Sequence, residues 1–427
     1  MVTRLLRWTC APSACPAGVA KGAGYLRGLD LLGRLRVSPR GDSRRSGLSP
    51  TGAIGARWRH LLEASSLALL ALLALPCSSP AQSSSEDEAA SPTRRPSVGA
   101  FQELNAESRR AIEDGIDWLA REQIDSSGRW PSRPPNYQMS VTALSGLALV
   151  AHGEGPEAGR HAKVVRKAID WVLSSQRKDG QWEGLIFDME SGSKDDRPMH
   201  GHGFALLFLS EAYGLTRGQR LRERMHRGIQ AGIGLTQRSI SPDGGWYYHP
   251  ADSTGGGNRD EGSVTIVQIQ ALRSAHNAGI AVDEAVVRRA VDYIKGSQQP
   301  DGGVRYTLRW GRSSAALTSA GISVLQGAGE YHGEAVEKGY GYLRLNLSTD
   351  LPDQQRFFYY THLYAAQAMF QRGGPEWSNY FPRIRHELLQ LRQGNVYWES
   401  PYGRSYSTAI ALLILQLPRR YLPIHQR

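Results

Sequence analysis

The sequence predicts an all-α fold in which six inner helices form a closed ring inside six outer helices. Two patterns support this prediction: a motif that recurs along most of the chain, and a pair of helix-length apolar patterns in each repeat. The composition agrees, because 40% hydrophobic and 21% charged residues in a chain of 427 are sufficient for a large folded core.

The first 81 residues differ from the rest of the chain and predict an export signal. Residues 1–60 hold eleven Arg or Lys against two Asp, so most of the +11 net charge belongs to this leader. The basic run Arg57-Trp58-Arg59-His60 precedes nine apolar residues, Leu67 to Leu75, and the small residues Ser79-Pro80-Ala81 follow. This order is typical of a cleaved signal, and we expect a periplasmic or cell-envelope protein that begins near Gln82.

Two alternatives stay open for the leader: an uncleaved membrane anchor through residues 61–81, or a lipid attached to Cys77. All three cysteines precede Gln82, so the body of the chain has no disulfide, thiolate metal site or cysteine nucleophile. Residues 82–98 are polar and predict a disordered linker, and residues 99–427 predict the helical ring. This body has no basic stripe of the kind that binds nucleic acid.

The repeat is most visible at residues 167–182, where an apolar helix pattern is followed by Gln176, Gly180 and Trp182. A second copy has Gln123, Gly128 and Trp130. Two looser copies carry Gln237, Gly244 and Trp246, and Gln393, Gly394 and Trp398. A further copy has Gln298 and Gly302 but carries Val304 in place of Trp. Residues 338–343 keep the helix pattern of a further unit and lose the turn signature. The sequence therefore contains about six units.

Each unit predicts an outer and an inner helix. Val165, Ala168, Ile169, Val172 and Leu173 form one apolar stripe, as expected of an amphipathic outer helix. The next pattern, such as 141–151 or 204–212, is apolar nearly all round and therefore predicts a buried inner helix. Gly153 and Gly214 then follow as helix-ending glycines.

The repeat resembles that of squalene and hopene cyclases and, more loosely, of protein prenyltransferase β subunits. The resemblance covers about residues 101–417 and implies an α/α toroid. It also implies that the Gln and Trp residues are structural and join neighbouring outer helices. Because one fold hosts many reactions, the resemblance does not by itself assign an activity.

Six polar residues share one level near the start of each predicted inner helix: Thr142, His202, Thr265, Thr318, His362 and Thr408. Hydroxyls at this level are expected to accept hydrogen bonds from free backbone N–H groups. His202 and His362 stand three units apart, and we expect them to face each other across the mouth of a central cavity. Their alternative role is that of hydrogen-bonded structural residues.

The resemblance also supplies a test for catalysis. Cyclases of this family protonate their substrate from an Asp-x-Asp-Asp-Thr segment that opens an inner helix, and no window ending at the shared level contains it. Glu261 is the one acidic residue in these windows. Asp196 precedes the second inner helix. The catalytic candidates are therefore His202, His362, Asp196 and Glu261, without the usual acid motif.

Related prenyltransferases hold zinc through an Asp-x-Cys arrangement that the body lacks. His200 and His202 together with Asp195, Asp196 or His362 form an alternative site with nitrogen and oxygen ligands, but a single His-x-His is a weak signal and we predict no metal and no cofactor. His200 and five tyrosines near the inner-helix starts are the candidate ligand-binding residues: Tyr137, Tyr359, Tyr360, Tyr364 and Tyr406. The first functional hypothesis is non-catalytic binding of an apolar or isoprenoid-type ligand, or of a protein partner, in the central cavity. The alternative is an enzyme that uses the two histidines and nearby carboxylates; a membrane surface is a further candidate partner.

Overall fold

A computed structural model describes residues 103–133, 135–188, 197–251, 260–349 and 357–426. The predictions for the leader, the linker and Asp196 concern residues outside these ranges. Within them, none of the helices has both the length and the apolar character needed to cross a bilayer.

The described chain contains twelve α-helices that alternate between two layers, as the sequence predicts. The outer layer consists of α1 (Ala106–Arg121), α3 (Ala162–Ser174), α5 (Gln219–Arg238), α7 (Glu284–Gly296), α9 (Glu334–Asn346) and α11 (Gly374–Gln390). The inner layer consists of α2 (Gln138–Ala151), α4 (Pro198–Tyr213), α6 (Gly262–Asn277), α8 (Ala315–Gly327), α10 (Phe358–Arg372) and α12 (Arg404–Gln416). Each inner helix packs against the next, and α12 packs against α2, so the ring is closed and the predicted α/α toroid is confirmed.

Burial follows the two predicted patterns. Every residue of α4 is buried, whereas α3 buries one stripe that includes all five of its predicted apolar positions. This difference places the all-apolar helices inside, because a helix that is apolar on every side needs neighbours on every side. Gly153 follows the end of α2 with φ +96°, as predicted. α4 likewise ends at Gly214, as predicted, but this glycine keeps a right-handed backbone instead of the left-handed one of a C′ glycine.

The turns that follow the outer helices need glycine for two reasons. Gly128, Gly244 and Gly302 have φ values of +82°, +95° and +84°, and a Cβ on any of them would meet a backbone carbonyl of the next outer helix. In the second unit this place belongs to Gly184, with φ +93°, whose Cβ would meet Ala231 of α5. A Cβ on Gly180 would meet nothing within 4 Å. The assignment of Gly180 and Trp182 to the repeat turn is therefore wrong by four residues, because this turn is longer.

Four glutamines join consecutive outer helices, as the resemblance implies; one of them, Gln237 of α5, accepts the backbone N–H of Asp283, the N-cap of α7, at 2.7 Å. The Gln123 side-chain amide donates to the carbonyl oxygens of Gly128 (2.9 Å) and of Val164 in α3 (2.9 Å). Gln176 and Gln298 make the corresponding pairs of bonds to their own turns and to α5 and α9. The prediction is wrong for Gln393, which bonds locally; there Arg392 pairs with Asp114 of α1 at 3.2 Å.

Candidate ligand-binding site

The six polar residues at the shared level point towards the turns between the layers. The Thr142 hydroxyl accepts the backbone N–H of Trp130 at 3.2 Å, and Thr265 accepts that of Trp246 at 3.0 Å. Thr318 and Thr408 accept the N–H groups of Val304 and Trp398 in the same way. The predicted acceptor role is thus present, but each hydroxyl serves the preceding turn rather than its own helix end.

His202 performs the task of these threonines. Its Nδ1 accepts the Ile186 N–H at 3.1 Å, so its Nε2 carries the proton and lies 3.1 Å from the Thr236 hydroxyl of α5. Burial lowers the pKa of His202 to about 3, so the ring is neutral at physiological pH. Ile186 thereby occupies the position that Trp130 has in the first unit.

His362 also lies between the layers. Its Nε2 is 3.1 Å from the Ser348 carbonyl oxygen, and its Nδ1 is 2.9 Å from the Tyr380 hydroxyl of the outer helix α11. Burial lowers its pKa to about 4. The expectation that His202 and His362 face each other across a cavity mouth is therefore wrong, because their shared level lies on the side of the inner helices that faces the outer layer.

A different histidine, His200, lies buried at the end of the ring where the inner helices begin, here called the mouth of the ring. The His200 Nε2 lies 3.2 Å from the Ser263 hydroxyl oxygen and 3.5 Å from Oε1 of Glu261. Burial lowers the pKa of His200, and the Glu261 carboxylate offsets part of this shift. Its Nδ1 is buried without a hydrogen-bond partner among the described residues.

Glu261 is the N-cap of α6. Its fully buried carboxylate accepts the backbone N–H groups of Ser263 (2.9 Å) and Val264 (2.8 Å) and the Ser263 hydroxyl. These bonds stabilise the helix start and occupy both carboxylate oxygens. Glu261 is therefore held as a hydrogen-bond acceptor.

The cluster of His200, Ser263 and Glu261 does not have the geometry of a nucleophilic triad. In a triad the carboxylate binds the imidazole nitrogen that faces away from the serine, which fixes the tautomer of the base. Here the carboxylate lies beside the serine and near the same Nε2. The cluster therefore places polar groups at the mouth of the ring, but its carboxylate does not orient His200 as a base for Ser263.

Three of the five candidate tyrosines line a small cavity on the axis of the ring. Its wall is formed by Tyr137, Ser140, Val141, Leu144, Phe204, Tyr360, Leu363, Tyr406 and Ile410, and its volume is about 10 Å³. Burial raises the pKa of the Tyr360 and Tyr406 hydroxyls well above the ordinary value, so both stay protonated. Tyr364 packs against Tyr360, with ring centroids 5.0 Å apart, and Tyr359 packs against Phe358; neither is part of the wall.

A second cavity lies on the same axis towards the other end of the ring. It has a volume of about 20 Å³ and shares Leu144, Phe204 and Leu363 with the first. Gln270 and Gln367 also contribute to its wall and are joined by a hydrogen bond of 2.7 Å. We did not predict these glutamines as site residues, because the inner helices carry several other polar residues and the sequence does not show which of them face the axis.

The segment that follows α12 completes this second cavity. Residues 417–426, here called the closing segment, contribute Leu417, Ile424 and His425 to the wall. The segment contains two short 3₁₀ turns, Leu417–Arg419 and Pro423–His425. Among the described residues no group of three His, Cys, Asp or Glu side chains is placed to hold a metal ion.

The comparisons with known proteins agree with the repeat. No protein-family model matches the chain. A probable squalene–hopene cyclase from Sinorhizobium fredii is 23% identical over 292 residues, which cover 60% of this chain and 43% of that protein. The chain therefore spans less than half the length of this curated relative.

Two solved structures show the same fold at low sequence identity. A D-mannose isomerase superimposes with a TM-score of 0.55 and 12% identity, over 74% of this chain and 98% of that one. A variant of the type II terpene cyclase MstE from Scytonema, in complex with its substrate geranylgeranyl dihydroxybenzoate, gives a TM-score of 0.50 and 14% identity, over 75% and 99%. The resemblance that the repeat predicts is confirmed: the chain is similar in sequence to squalene–hopene cyclases and has the α/α toroid fold found in a type II terpene cyclase.

Proposed function

We propose that the chain binds an apolar, isoprenoid-type molecule along the axis of its inner ring. The observation that carries this proposal is the pair of axial cavities with a common wall. Leu144, Phe204 and Leu363 separate them, and these are side chains that can change rotamer. Rotation of these three side chains joins the two cavities into one apolar channel.

The mouth of the ring offers hydrogen bonds for the polar end of such a ligand. The Tyr360 hydroxyl and the His200 Nδ1 are buried and have no hydrogen-bond partner in the described part of the chain. Buried polar atoms are nearly always paired in folded proteins, so unpaired ones at a cavity mouth favour a bound group that pairs them. Tyr360 lines the first cavity, so a hydroxyl or carboxyl group on a ligand there can pair with its hydroxyl.

Binding requires the channel to widen. Cavities of about 10 and 20 Å³ hold at most about one water molecule each, whereas binding sites for small molecules usually measure about 300–1,000 Å³. The ligand must therefore displace the shared wall. Support for an isoprenoid comes from the geranylgeranyl substrate held by MstE, a toroid of the same fold.

Matched substitutions on α4 test the proposal. Phe204→Ala removes one of the three side chains of the shared wall, and we expect it to tighten geranylgeraniol binding by about tenfold or more, because less side-chain displacement is needed. Phe208→Ala creates a hole of similar size off the axis, where the ring lies against Gly146 of α2, and should leave binding unchanged. Isothermal calorimetry at 25 °C measures both. Equal effects of the two variants, or no binding by either, would contradict an axial site.

A second candidate function is an enzyme that transfers a proton on an apolar substrate. The observation in its favour is the neutral His200 beside Ser263 and Glu261, one helical turn before Phe204. Incubation with squalene or geranylgeraniol, followed by mass spectrometry, tests for an isomer of unchanged mass. Turnover that His200→Gln abolishes supports the enzyme; binding without turnover supports the binding protein.

We also propose that the protein is exported and begins near Gln82. The support is the order of basic, apolar and small residues in the leader. N-terminal sequencing of protein from the cell envelope should find a start near Gln82. An acylated Cys77 would show a lipid anchor instead, and an intact chain in the cytoplasm would contradict export.

A further inference from the structure

The closing segment lies where a ligand would occupy the lower half of the proposed channel. Leu417, Ile424 and His425 form part of the wall of the second axial cavity; Leu417 and Ile424 are buried, and His425 is partly buried with its Nδ1 out of contact with solvent. Ile424 and His425 stand at the ends of the inner helices, next to α6. An apolar side chain and an imidazole from the protein itself thus fill the end of the channel.

The segment covers buried polar groups that are incompletely paired. The Glu211 carboxyl of α4 accepts a hydrogen bond of 2.5 Å from the Ser274 hydroxyl of α6; its Oε2 makes no well-aligned hydrogen bond among the described residues, and the Ile424 backbone amide of the closing segment lies beside the carboxyl. The His425 Nδ1 is likewise buried without a partner. A buried polar atom without a hydrogen-bond partner lowers the stability of the closed segment, because the atom has lost its hydrogen bonds to water.

Few polar contacts hold the segment in place. Arg419 lies 3.4 Å from the Glu113 carboxylate of α1, and Asn277 reaches the Pro423 carbonyl oxygen at 3.5 Å, at the limit of a hydrogen bond. Arg420, between the two 3₁₀ turns, has φ +55°, a left-handed backbone that costs a residue with a side chain about 1 kcal/mol. These features favour local opening of the segment over opening of the ring.

We infer that residues 417–426 act as a built-in plug that closes the lower half of the axial channel and must move away before a ligand can occupy it. This inference rests on the proposed function for its ligand. The plug itself is a property of the fold and can be observed without any ligand.

Glu211 makes the plug sensitive to pH. Burial raises the pKa of Glu211 to about 7, and the Ser274 hydroxyl and the Ile424 backbone amide offset part of this shift. Opening of the segment hydrates the carboxyl and returns its pKa towards the ordinary value. The closed state therefore holds the proton more tightly than the open one, and the plug is most stable below the ordinary pKa and weakens as pH rises through about 7.

No other charged group accounts for the state of Glu211. The ionisable residues that the surrounding elements place at this end of the ring are Glu113, His152, Glu154, Arg222, Arg273, His276, Arg419 and His425. None of them forms an ion pair or hydrogen bond with Glu211 in the described part of the structure. Burial also lowers the pKa of His425 to about 4, so this imidazole stays neutral across the range in which Glu211 titrates.

Hydrogen exchange of the ligand-free chain tests the plug. After correction for intrinsic exchange, the open population reported by the Arg420, His425 and Gln426 amides should rise by up to about 30-fold between pH 5.5 and pH 8. Glu211→Gln should remove this rise. Glu154→Gln, which changes a buried carboxylate at the same ring end that accepts the His161 N–H, should keep it. A pH-independent segment in the wild-type chain would overturn the inference.

The same variants separate this inference from the proposed function. Geranylgeraniol affinity should rise with pH in the wild-type chain and stay constant in Glu211→Gln, because only the open fraction binds. If the opening of the segment depends on pH but the chain does not bind geranylgeraniol, the plug is supported and the proposed function is contradicted. If the chain binds geranylgeraniol but the opening of the segment does not depend on pH, the proposed function is supported and the plug is contradicted.

Discussion

At the scale of single residues, the two histidines at the shared level act as bridges between layers. His202 replaces a threonine and accepts the N–H of Ile186, and its Nε2 lies near Thr236. Their burial keeps both His202 and His362 neutral. The stability of the fold therefore depends on imidazoles that must not take up a proton.

This arrangement predicts a loss of stability in mild acid. The pKa of His202 is lowered to about 3 in the folded chain, below its ordinary value of 6.5, so the unfolded chain binds more protons between these values. Stability is fully present above about pH 6.5 and should fall as pH decreases, by up to about 1.4 kcal/mol per pH unit for each such histidine.

Urea unfolding from pH 7 to pH 4.5 measures this effect. His202→Thr introduces the residue type found at the four equivalent positions. It should reduce the slope of unfolding free energy against pH by the contribution of one histidine and leave geranylgeraniol binding unchanged. An unaltered slope, or lost binding in a folded variant, would contradict the structural role.

The helical periodicity shows which part of this site the sequence could predict. His200 and His202 lie at nearly the same level, but two residues along an α-helix are about 200° apart, so only one of them can face the axis. The apolar pattern does not distinguish them, because every residue of α4 is buried. Contacts with Ile186 and Thr236, distant in sequence, decide the direction.

At the scale of elements, the turns were predicted less well than the helices. The apolar stripe of α3 was correct at each position because the helical period is set locally. Gly180 and Trp182 matched the motif, yet Gly184 and Ile186 take the structural positions, because a longer turn separates them from Gln176. The length of a turn is settled by packing against α5, which a local motif does not contain.

A pair of glycine substitutions tests this corrected assignment. Gly180→Ala should cost about 1–2 kcal/mol, since φ is +74° but the space around it is open. Gly184→Ala should cost about 3 kcal/mol or more, because the new Cβ also meets the backbone of Ala231. Urea unfolding at pH 7 compares the two; a larger loss for Gly180→Ala would restore the original assignment.

At the scale of the whole molecule, a closed ring has an axis, and the proposed function places the ligand on this axis. The described inner ring is almost filled by its own side chains, with tyrosines at one end and the closing segment at the other. Closure was predictable from six repeats. The sequence could not predict that side chains fill the axis, because these side chains come from several inner helices and from the closing segment after α12.

Photo-crosslinking is the most direct test of an axial ligand site. A farnesyl probe with a diazirine at its apolar end, irradiated with the full chain and mapped by mass spectrometry, should label inner-ring residues such as Phe204 and Leu363, and excess geranylgeraniol should compete. The outer helices offer a comparison, because an open groove of about 540 Å³ lies between α3 and α5. Labelling confined to that groove or to other outer surfaces, or no competed labelling at all, would contradict the central claim.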